Sequence, residues 1–203
     1  FPYTTLFRSK KEDLEGIELP HGILLTGKPG VGKTMIAKAI ASEAGFTFIY
    51  CSAASLNDMY VGGAAKKIKN LFATARKLAP CIIFFDEFDA LGSRNSNDES
   101  NNGKNSEKIN AMLTELDGMK NNNDAKIFVI AATNNKNSLD PALIRSGRFD
   151  RDIEIAQPTL KDRYALFLTY SQKYTHISRN IDYWMYSKLL SHFVGADIET
   201  LFR

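Results

Sequence analysis

The segment from Gly27 to Thr34, with the sequence GKPGVGKT, constrains the fold of this chain more than any other feature. It follows an apolar run, residues 22–26, and precedes a segment of helical period, residues 35–44. A strand, a glycine-rich turn and a helix in this order form a cradle for phosphate, because glycines let main-chain N–H groups converge on phosphate oxygens. Lys33 reaches the terminal phosphates in this pattern, and the Thr34 hydroxyl can ligate Mg²⁺. The predicted binding residues are Gly27, Lys28, Pro29, Gly30, Val31, Gly32, Lys33, Thr34 and Met35.

A second motif lies at the end of another apolar run, residues 81–85, where Asp86 and Glu87 are adjacent. An unbroken apolar run is typical of a buried strand in a parallel sheet. Ligands of open α/β sheets bind at the carboxyl ends of the strands, so both carboxylates are expected beside the phosphate cradle. Asp86 is suited to hold Mg²⁺ through its water shell, and Glu87 to polarise the water that attacks the γ-phosphate. The alternative is a strand that ends in two ordinary solvated acids.

Composition excludes several classes of protein. The chain has 203 residues, of which 44% are hydrophobic and 24% charged, as in an ordinary soluble globular protein. A net charge of +3 is too small to indicate a nucleic-acid or membrane surface. The longest basic cluster, residues 66–69, lies opposite an apolar helical stripe that includes Ile68 and Phe72. We therefore expect a solvated helix face there, with a nucleic-acid contact as the alternative.

Cysteine and histidine usage gives no sign of a disulfide framework or a zinc site. Cys51 and Cys81 each lie at the end of an apolar strand, which predicts buried thiols in a reducing compartment. The three histidines are far apart and lack metal-ligand spacing. No apolar run approaches the roughly 18 residues needed to span a bilayer, and no signal peptide is recognisable at the start.

Strand-like and helical segments alternate along the chain. The predicted strands are residues 23–26, 46–51, 81–85, 126–132 and 152–156. This alternation predicts an α/β fold, with a five-stranded parallel sheet covered by helices on both faces. Residues 160–173, 182–190 and a segment starting at Asp197 are predicted helices of a small lid. Two asparagine-rich stretches, residues 95–105 and 121–124, are predicted to be mobile surface loops.

A run from Ala131 to Arg151 carries Ala-Ala-Thr-Asn and then Leu-Asp-Pro-Ala-Leu-Ile-Arg-Ser-Gly-Arg-Phe-Asp-Arg. With this run, the phosphate cradle and the Asp86-Glu87 pair, the chain resembles an AAA+ ATPase of the AAA family proper over residues 20–203. It is most similar to the ATPase module of FtsH-type membrane proteases, through residues 79–90 and Met119. The resemblance implies a P-loop NTPase fold with ATP and Mg²⁺ as cofactors, the metal being held at Thr34 and Asp86.

The resemblance also implies roles for residues of the 131–151 run. Asn134 would be the polar sensor that helps to position the lytic water, a turn asparagine being the alternative. Arg145 and Arg148 would be arginine fingers that reach into the nucleotide of a neighbouring subunit, which requires an oligomer. Surface ion pairs are the alternative for both arginines. The family usually has proline where Ser146 stands, so the turn that carries the fingers is less rigid here.

The segment from Met59 to Gly63 resembles the aromatic-apolar-glycine pore loop of the family. Tyr60, Val61 and Gly62 would grip a polypeptide substrate through apolar contact, without reading its sequence. Packing of Tyr60 on the core is the alternative.

A Gly-Ala-Asp segment near the end of the chain is similar to the lid segment that closes over adenine in the family. The resemblance makes Gly195 and Ala196 expected nucleotide contacts. A plain helix N-terminus is the alternative, and both can hold together. Where these ATPases often carry a lid histidine, this chain has Tyr170.

The family's leading helix and its Asp-Val-x-Gly turn are missing before the phosphate cradle. The sequence is therefore expected to be a fragment, with residues 1–9 non-native, residues 10–157 an incomplete large ATPase subdomain, and residues 158–203 a truncated lid. Any membrane anchor or protease domain would lie outside it, so the chain itself is expected to be a soluble, cytoplasmic-facing domain.

The resemblance implies an ATP-hydrolysing motor subunit of a ring-shaped, homo-oligomeric protein unfoldase, a hexamer that acts on polypeptides and not on nucleic acid. It would be the ATPase module of an FtsH-type membrane-bound protease. A remodelling or assembly ATPase without protease activity remains open as the alternative. A clamp loader or initiator on DNA is disfavoured by the weak charge and by the aromatic residue of the pore loop.

Overall fold

The computed structural model describes residues 22–56, 63–92, 99–120, 126–174 and 181–203. At its centre is a five-stranded sheet with the order β2-β3-β4-β1-β5. The strands are β1 Gly22–Thr26, β2 Thr47–Ser52, β3 Cys81–Asp86, β4 Ile127–Thr133 and β5 Phe149–Glu154. The registers of β2 with β3, β3 with β4 and β1 with β4 are parallel. The predicted α/β fold with a parallel sheet is confirmed.

The α-helices among the described residues are α1 Lys33–Ala44, α2 Gly63–Leu78, α3 Asp89–Gly92, α4 Glu99–Lys120, α5 Leu160–Lys173, α6 Tyr183–Leu189 and α7 Gly195–Leu201. Two short 3₁₀ turns, Ala53–Leu56 and Lys136–Ser138, complete the regular structure. Helix α1 packs on one face of the sheet, and helices α2 and α4 pack on the other.

Strand β3 shows why its sequence is an unbroken apolar run. Alternate residues of a strand point to opposite faces of a sheet. Ile82 and Phe84 belong to the cluster that contains α1, whereas Ile83 and Phe85 belong to the cluster that contains α2 and α4. Because both faces are covered, every residue of β3 before Asp86 is fully buried. Asp86 continues the alternation on the face that α1 covers.

Two expectations about side chains are confirmed. Helix α2 buries its predicted apolar stripe, including Ile68 and Phe72, against the sheet, and the lysines of residues 66–69 are exposed on its other side. Both cysteines are buried free thiols, and burial raises the pKa of each. The low dielectric of the core disfavours the thiolate, so neither sulfur is set up for nucleophilic chemistry.

Two expectations are wrong. The asparagine-rich stretch at residues 95–105 was predicted to be a loop, yet α4 begins at Glu99 and includes its second half. The fifth strand was predicted at residues 152–156, but it begins at Phe149. Phe149 is buried, and its ring packs edge-on against Phe88 with a centroid distance of 5.0 Å. The strand thus begins three residues before its predicted start. The contact at its first residue joins positions far apart in the sequence, so no local pattern reveals it.

The chain separates into two compact units. One contains the residues up to Thr26 together with Thr34–Ile153, and the other contains Gly27–Lys33 together with Glu154–Arg203. The predicted domains, residues 10–157 and 158–203, stay a prediction. No helix among the described residues is both long enough and apolar enough to cross a membrane.

The second unit has its own small core. Its centre is formed by Phe167, Ile198 and Phe202, with tyrosine rings packed around them. Helix α5 is fixed at its start by a capping box, in which Thr159 and Asp162 exchange side-chain and backbone hydrogen bonds. The predicted helix over residues 160–173 is confirmed.

Candidate active site

The phosphate loop has backbone angles that only glycine adopts without strain. Gly27, Gly30 and Gly32 have φ angles of 144°, 77° and 99°. Space is restricted as well, because a Cβ atom on Gly27 would lie 2.4 Å from the carbonyl oxygen of Ile155, and one on Gly30 would lie 2.7 Å from Cγ2 of Val194. The predicted glycine-rich turn is thus specified by both conformation and packing.

Lys33 is the first residue of α1 and is largely buried. Its ammonium group donates hydrogen bonds to the carbonyl oxygens of Gly27, at 2.7 Å, and Lys28, at 2.9 Å. The loop therefore curves around its own lysine. The N-terminus of α1, whose first N–H groups have no acceptor within the helix and which carries the positive end of the helix dipole, adds attraction for an anion at the same point of the chain. A phosphate group fits this combination of charge and donors.

The other predicted residues of the loop differ in their surroundings. Lys28 donates to the side-chain oxygen of Gln157 at 3.1 Å. Pro29 is exposed, Val31 is half-buried and Met35 is exposed. The structure brings Gly195 and Ala196 to the loop, since the Ala196 N–H donates to the carbonyl oxygen of Gly30 at 3.2 Å. This bond joins the first turn of α7 to the phosphate loop.

Thr34 and Asp86 meet, as the two motifs predict. The Thr34 hydroxyl, one residue beyond Lys33 in α1, donates to Oδ2 of Asp86 at 3.1 Å. Strand β3 ends at Asp86 on the face that α1 covers, which accounts for the meeting. A hydroxyl and a carboxylate are the oxygen ligands that Mg²⁺ accepts while it keeps most of its water. The donor set of this pair therefore fits Mg²⁺.

Tyr50 is a neighbour of Asp86 that the sequence did not reveal. Its hydroxyl lies 3.4 Å from Oδ2 of Asp86, and β2 places it beside the end of β3. Partial desolvation of the hydroxyl and the negative charge of Asp86 raise the pKa of Tyr50, although the residue as a whole is exposed. No motif flags this residue, because only the pairing of β2 with β3 brings it near the carboxylate.

Glu87 has an unusual backbone. It is the one described residue other than glycine with a positive φ, at 51°, and its side chain is exposed. Its N–H donates to Oδ1 of Asp86 at 3.0 Å, and its carbonyl accepts from the N–H of Ala90 at 2.9 Å. Left-handed conformations are costly for residues with a Cβ and persist where the surroundings impose them, often at functional sites. The backbone strain at Glu87 is therefore typical of a functional turn.

Asn134 follows the last residue of β4 and is exposed. Strand β4 lies between β1 and β3, and Phe85 is paired with Ala131 in their register. The residues that follow β3 and β4 therefore emerge at the same sheet edge. The structure thus places Asn134 at the edge where Glu87 lies.

The two predicted arginine fingers differ in their contacts. Arg148 forms a bidentate pair with Asp117, at 3.0 and 2.7 Å, and donates to the carbonyl oxygen of Ala142 at 2.7 Å. The hydrogen bonds to Asp117 raise the pKa of Arg148. Arg145 is exposed and has no ion pair with any described residue. A finger role for Arg148 requires that its guanidinium leave Asp117, whereas Arg145 needs no such rearrangement.

This difference predicts unequal effects on stability. Arg148→Ala is expected to lower the free energy of unfolding by about 1–2 kcal/mol, because it removes a partly exposed bidentate pair and a bond to the main chain. Arg145→Ala serves as the matched control and is expected to change it by less than about 0.5 kcal/mol. Urea unfolding followed by circular dichroism measures both values. Equal losses in the two variants would contradict the contacts described for Arg148.

The predicted pore-loop residues Tyr60, Val61 and Gly62 lie outside the described residues. The residues that the sequence placed in the phosphate loop and at the ends of β3 and β4 are described, and their roles stay predictions. Tyr50 is the neighbour of this site that sequence reasoning missed.

Comparison with known proteins agrees with this geometry. Residues 23–157 match the model of the ATPase family associated with various cellular activities (AAA). The chain is 42% identical over 193 residues to an ATP-dependent zinc metalloprotease FtsH of Metamycoplasma arthritidis, covering 95% of this chain and 26% of that protein. It is 43% identical over 189 residues to an ATP-dependent zinc metalloprotease YME1 homolog of Schizosaccharomyces pombe, covering 92% and 26%.

A third relative is the ATP-dependent zinc metalloprotease FtsH of Thermus thermophilus, which is 42% identical over 187 residues, covering 92% of this chain and 30% of that protein. The chain thus spans between a quarter and a third of the length of these relatives. The family match covers most of the chain and contains the phosphate loop, the acidic pair and the arginine-bearing run, so the motifs and the fold have one common explanation. This chain belongs to the AAA family of ATPases, enzymes that hydrolyse ATP.

Proposed function

We propose that the chain is the motor subunit of a ring-shaped protein unfoldase, and that it is the ATPase module of an FtsH-type protease. The observation that carries the proposal is the contact between Thr34 and Asp86, at 3.1 Å. It joins the hydroxyl that follows the phosphate-loop lysine to the acid at the end of β3. A hydroxyl and a carboxylate are ligands that a magnesium nucleotide needs.

The residues of the site have separate roles in this proposal. Loop N–H groups and Lys33 bind the phosphates of ATP, while Thr34 and Asp86 would hold Mg²⁺, whose charge offsets that of the phosphate oxygens. Glu87 accepts a proton from the attacking water as the water oxygen bonds to the γ-phosphorus and the bond to the β-γ bridging oxygen breaks. Asn134 orients that water. ADP and phosphate are the products.

The proposal includes a ring, because arginine fingers act on the nucleotide of a neighbouring subunit. The exposed Arg145 is suited to this role because its guanidinium has no ion pair with any described residue. Arg148 would join it after exchanging Asp117 for the neighbour's phosphate. We propose a homo-hexamer with Gly195 and Ala196 near the adenine and with Tyr60, Val61 and Gly62 lining its channel. Its substrates would be polypeptides.

The names of the relatives support a protease more than a remodelling ATPase. Zinc metalloprotease activity requires a His-Glu-x-x-His helix, which this sequence does not contain. Protease activity and membrane attachment are therefore proposed for the intact protein and assigned to segments outside this sequence. A reading frame that lacks such a helix would favour the remodelling ATPase.

Substitution in the pore loop tests the unfoldase proposal. Tyr60→Ala in the intact protein is expected to keep ATP turnover within about threefold and to lower the unfolding rate of a tagged folded substrate by about tenfold or more, because the apolar grip on the chain is lost. Tyr60→Phe, which keeps the ring, is the matched control and is expected to unfold the substrate normally. Release of fluorescence from a tagged fluorescent protein measures the rate. Normal unfolding by Tyr60→Ala would remove the threading claim.

A further inference from the structure

One buried hydroxyl connects the turns that carry Glu87 and Asn134. Thr133, the last residue of β4, is almost fully buried, with 1% of its surface exposed. Its hydroxyl donates to Oδ1 of Asp89 at 2.8 Å and accepts the N–H of Asn135 at 3.0 Å. The Thr133 hydroxyl therefore donates one hydrogen bond to the turn after β3 and accepts another from the turn after β4.

The bond to Asp89 acts on the turn that follows β3. That turn contains Glu87, whose φ of 51° needs external support. Support comes from β4 on two sides, since the Phe88 N–H donates to the carbonyl oxygen of Ala132 at 2.9 Å and Asp89 accepts from Thr133. Phe88 is itself fully buried. The residues after Glu87 are thus fixed to the end of the neighbouring strand.

The bond from Asn135 acts on the turn that follows β4. Asn134 lies between Thr133 and Asn135, so a hydrogen bond from the Asn135 N–H to the Thr133 side chain closes a small loop around it. The direction of the Asn134 backbone is set by this loop. The Thr133 hydroxyl therefore forms hydrogen bonds with both turns, the one that contains Glu87 and the one that contains Asn134.

We propose that Thr133 is a positioning residue, which holds the Glu87 carboxylate and the Asn134 side chain in a fixed arrangement at the edge of the sheet. The inference rests on the proposed function, in which Glu87 accepts a proton from water and Asn134 orients that water. Since both groups act on one water molecule, an error in their separation lowers turnover even when each residue is present. Because its side chain is buried, Thr133 would act through these two turns and not by contact with the substrate.

Removal of the hydroxyl with little change in shape tests this inference. Thr133→Val in the intact protein is expected to lower kcat by about 10- to 100-fold and to leave KM for ATP within about threefold, because the phosphate loop is untouched. Thr133→Ser, which restores the hydroxyl, is expected to recover kcat to within about threefold of the parent. Thr74→Val is the matched control, since among the described residues the Thr74 hydroxyl bonds only to the carbonyl oxygen of Asn70 in its own helix.

A second variant guards against a folding defect in Thr133→Val. Asp89→Ala removes one of the two bonds from a half-buried residue and is expected to lower kcat, though by no more than Thr133→Val does, with the double variant no worse than Thr133→Val alone. Hydrogen exchange gives a readout besides activity: the Asn135 N–H should exchange faster in Thr133→Val and at the parental rate in Thr133→Ser.

The outcomes separate the inference from the function on which it rests. Retention of kcat within twofold by a folded Thr133→Val or by Asp89→Ala overturns the inference. Equal changes in kcat and in nucleotide affinity also overturn it, since a merely structural role predicts them. Turnover by Glu87→Gln in the same assay would instead remove the proposed role of Glu87, whatever the result for Thr133.

Discussion

Replacing Glu87 by glutamine is expected to lower the rate of ATP turnover by about 10²- to 10⁴-fold and to leave ATP affinity within about threefold. Glutamine keeps the length and the polar end of the side chain, so the backbone at φ 51° is no more strained than before. What is lost is the ability to accept a proton from water. The phosphate loop and the Thr34–Asp86 pair, which provide the affinity, are unchanged.

Single-turnover hydrolysis and nucleotide titration of the same preparation measure both halves of this result. Glu43→Gln is the matched control, because Glu43 is an exposed glutamate of α1 and its loss should leave turnover unchanged. Ample residual hydrolysis in Glu87→Gln would refute the assigned role. A loss of affinity equal to the loss of turnover would mean that Glu87 binds nucleotide instead of activating water.

Replacing Lys33 by alanine is expected to raise the dissociation constant for ATP by about 10- to 100-fold, since a charged hydrogen bond to phosphate is removed. Lys33 also donates to the carbonyl oxygens of Gly27 and Lys28, so the variant loses a support of the loop as well as a charge. Lys33→Arg is not expected to rescue binding, because a planar guanidinium does not fit where a largely buried ammonium makes these two bonds.

Titration with a fluorescent ATP analogue measures this constant. Lys38→Ala removes an exposed lysine of the same helix and keeps the net charge equal to that of Lys33→Ala. It is therefore expected to bind like the parent. Equal weakening in the two variants would show that general electrostatic attraction, and not the position of Lys33, accounts for affinity.

The sequence predicted much of the fold because the buried strands of a parallel sheet are continuous apolar runs, which are visible in the sequence. A strand covered on both faces must be apolar throughout, so β3 was visible as the run 81–85. The edge strand β5 is not a continuous apolar run. Four of its six residues are exposed and charged, and its first residue, Phe149, contacts the ring of Phe88, which lies far away in the sequence.

The asparagine-rich stretch shows a different limit. Polar composition predicted a loop over residues 95–105, whereas α4 already begins at Glu99. Most helical stability in proteins comes from packing of one face. The buried residues Met112 and Leu116 of α4 lie further along this same helix, in the main core cluster. Packing of these later residues against the core thus outweighs the low helix propensity of the asparagine-rich residues at the start of α4.

The candidate site divides in the same way. Sequence by itself determined which residues are candidates for the chemistry: a lysine and glycines for phosphate, a hydroxyl and an acid for Mg²⁺, and a second acid for water. Each stands at a characteristic position along one strand-turn-helix or at one strand end. Only the tertiary structure decided what surrounds these groups. Tyr50 beside Asp86, Thr133 bonded to Asp89, and Arg148 paired with Asp117 all join residues that lie far apart in the sequence. Such contacts depend on strand order and register, which arise from packing of the whole sheet and leave no periodic pattern along the chain.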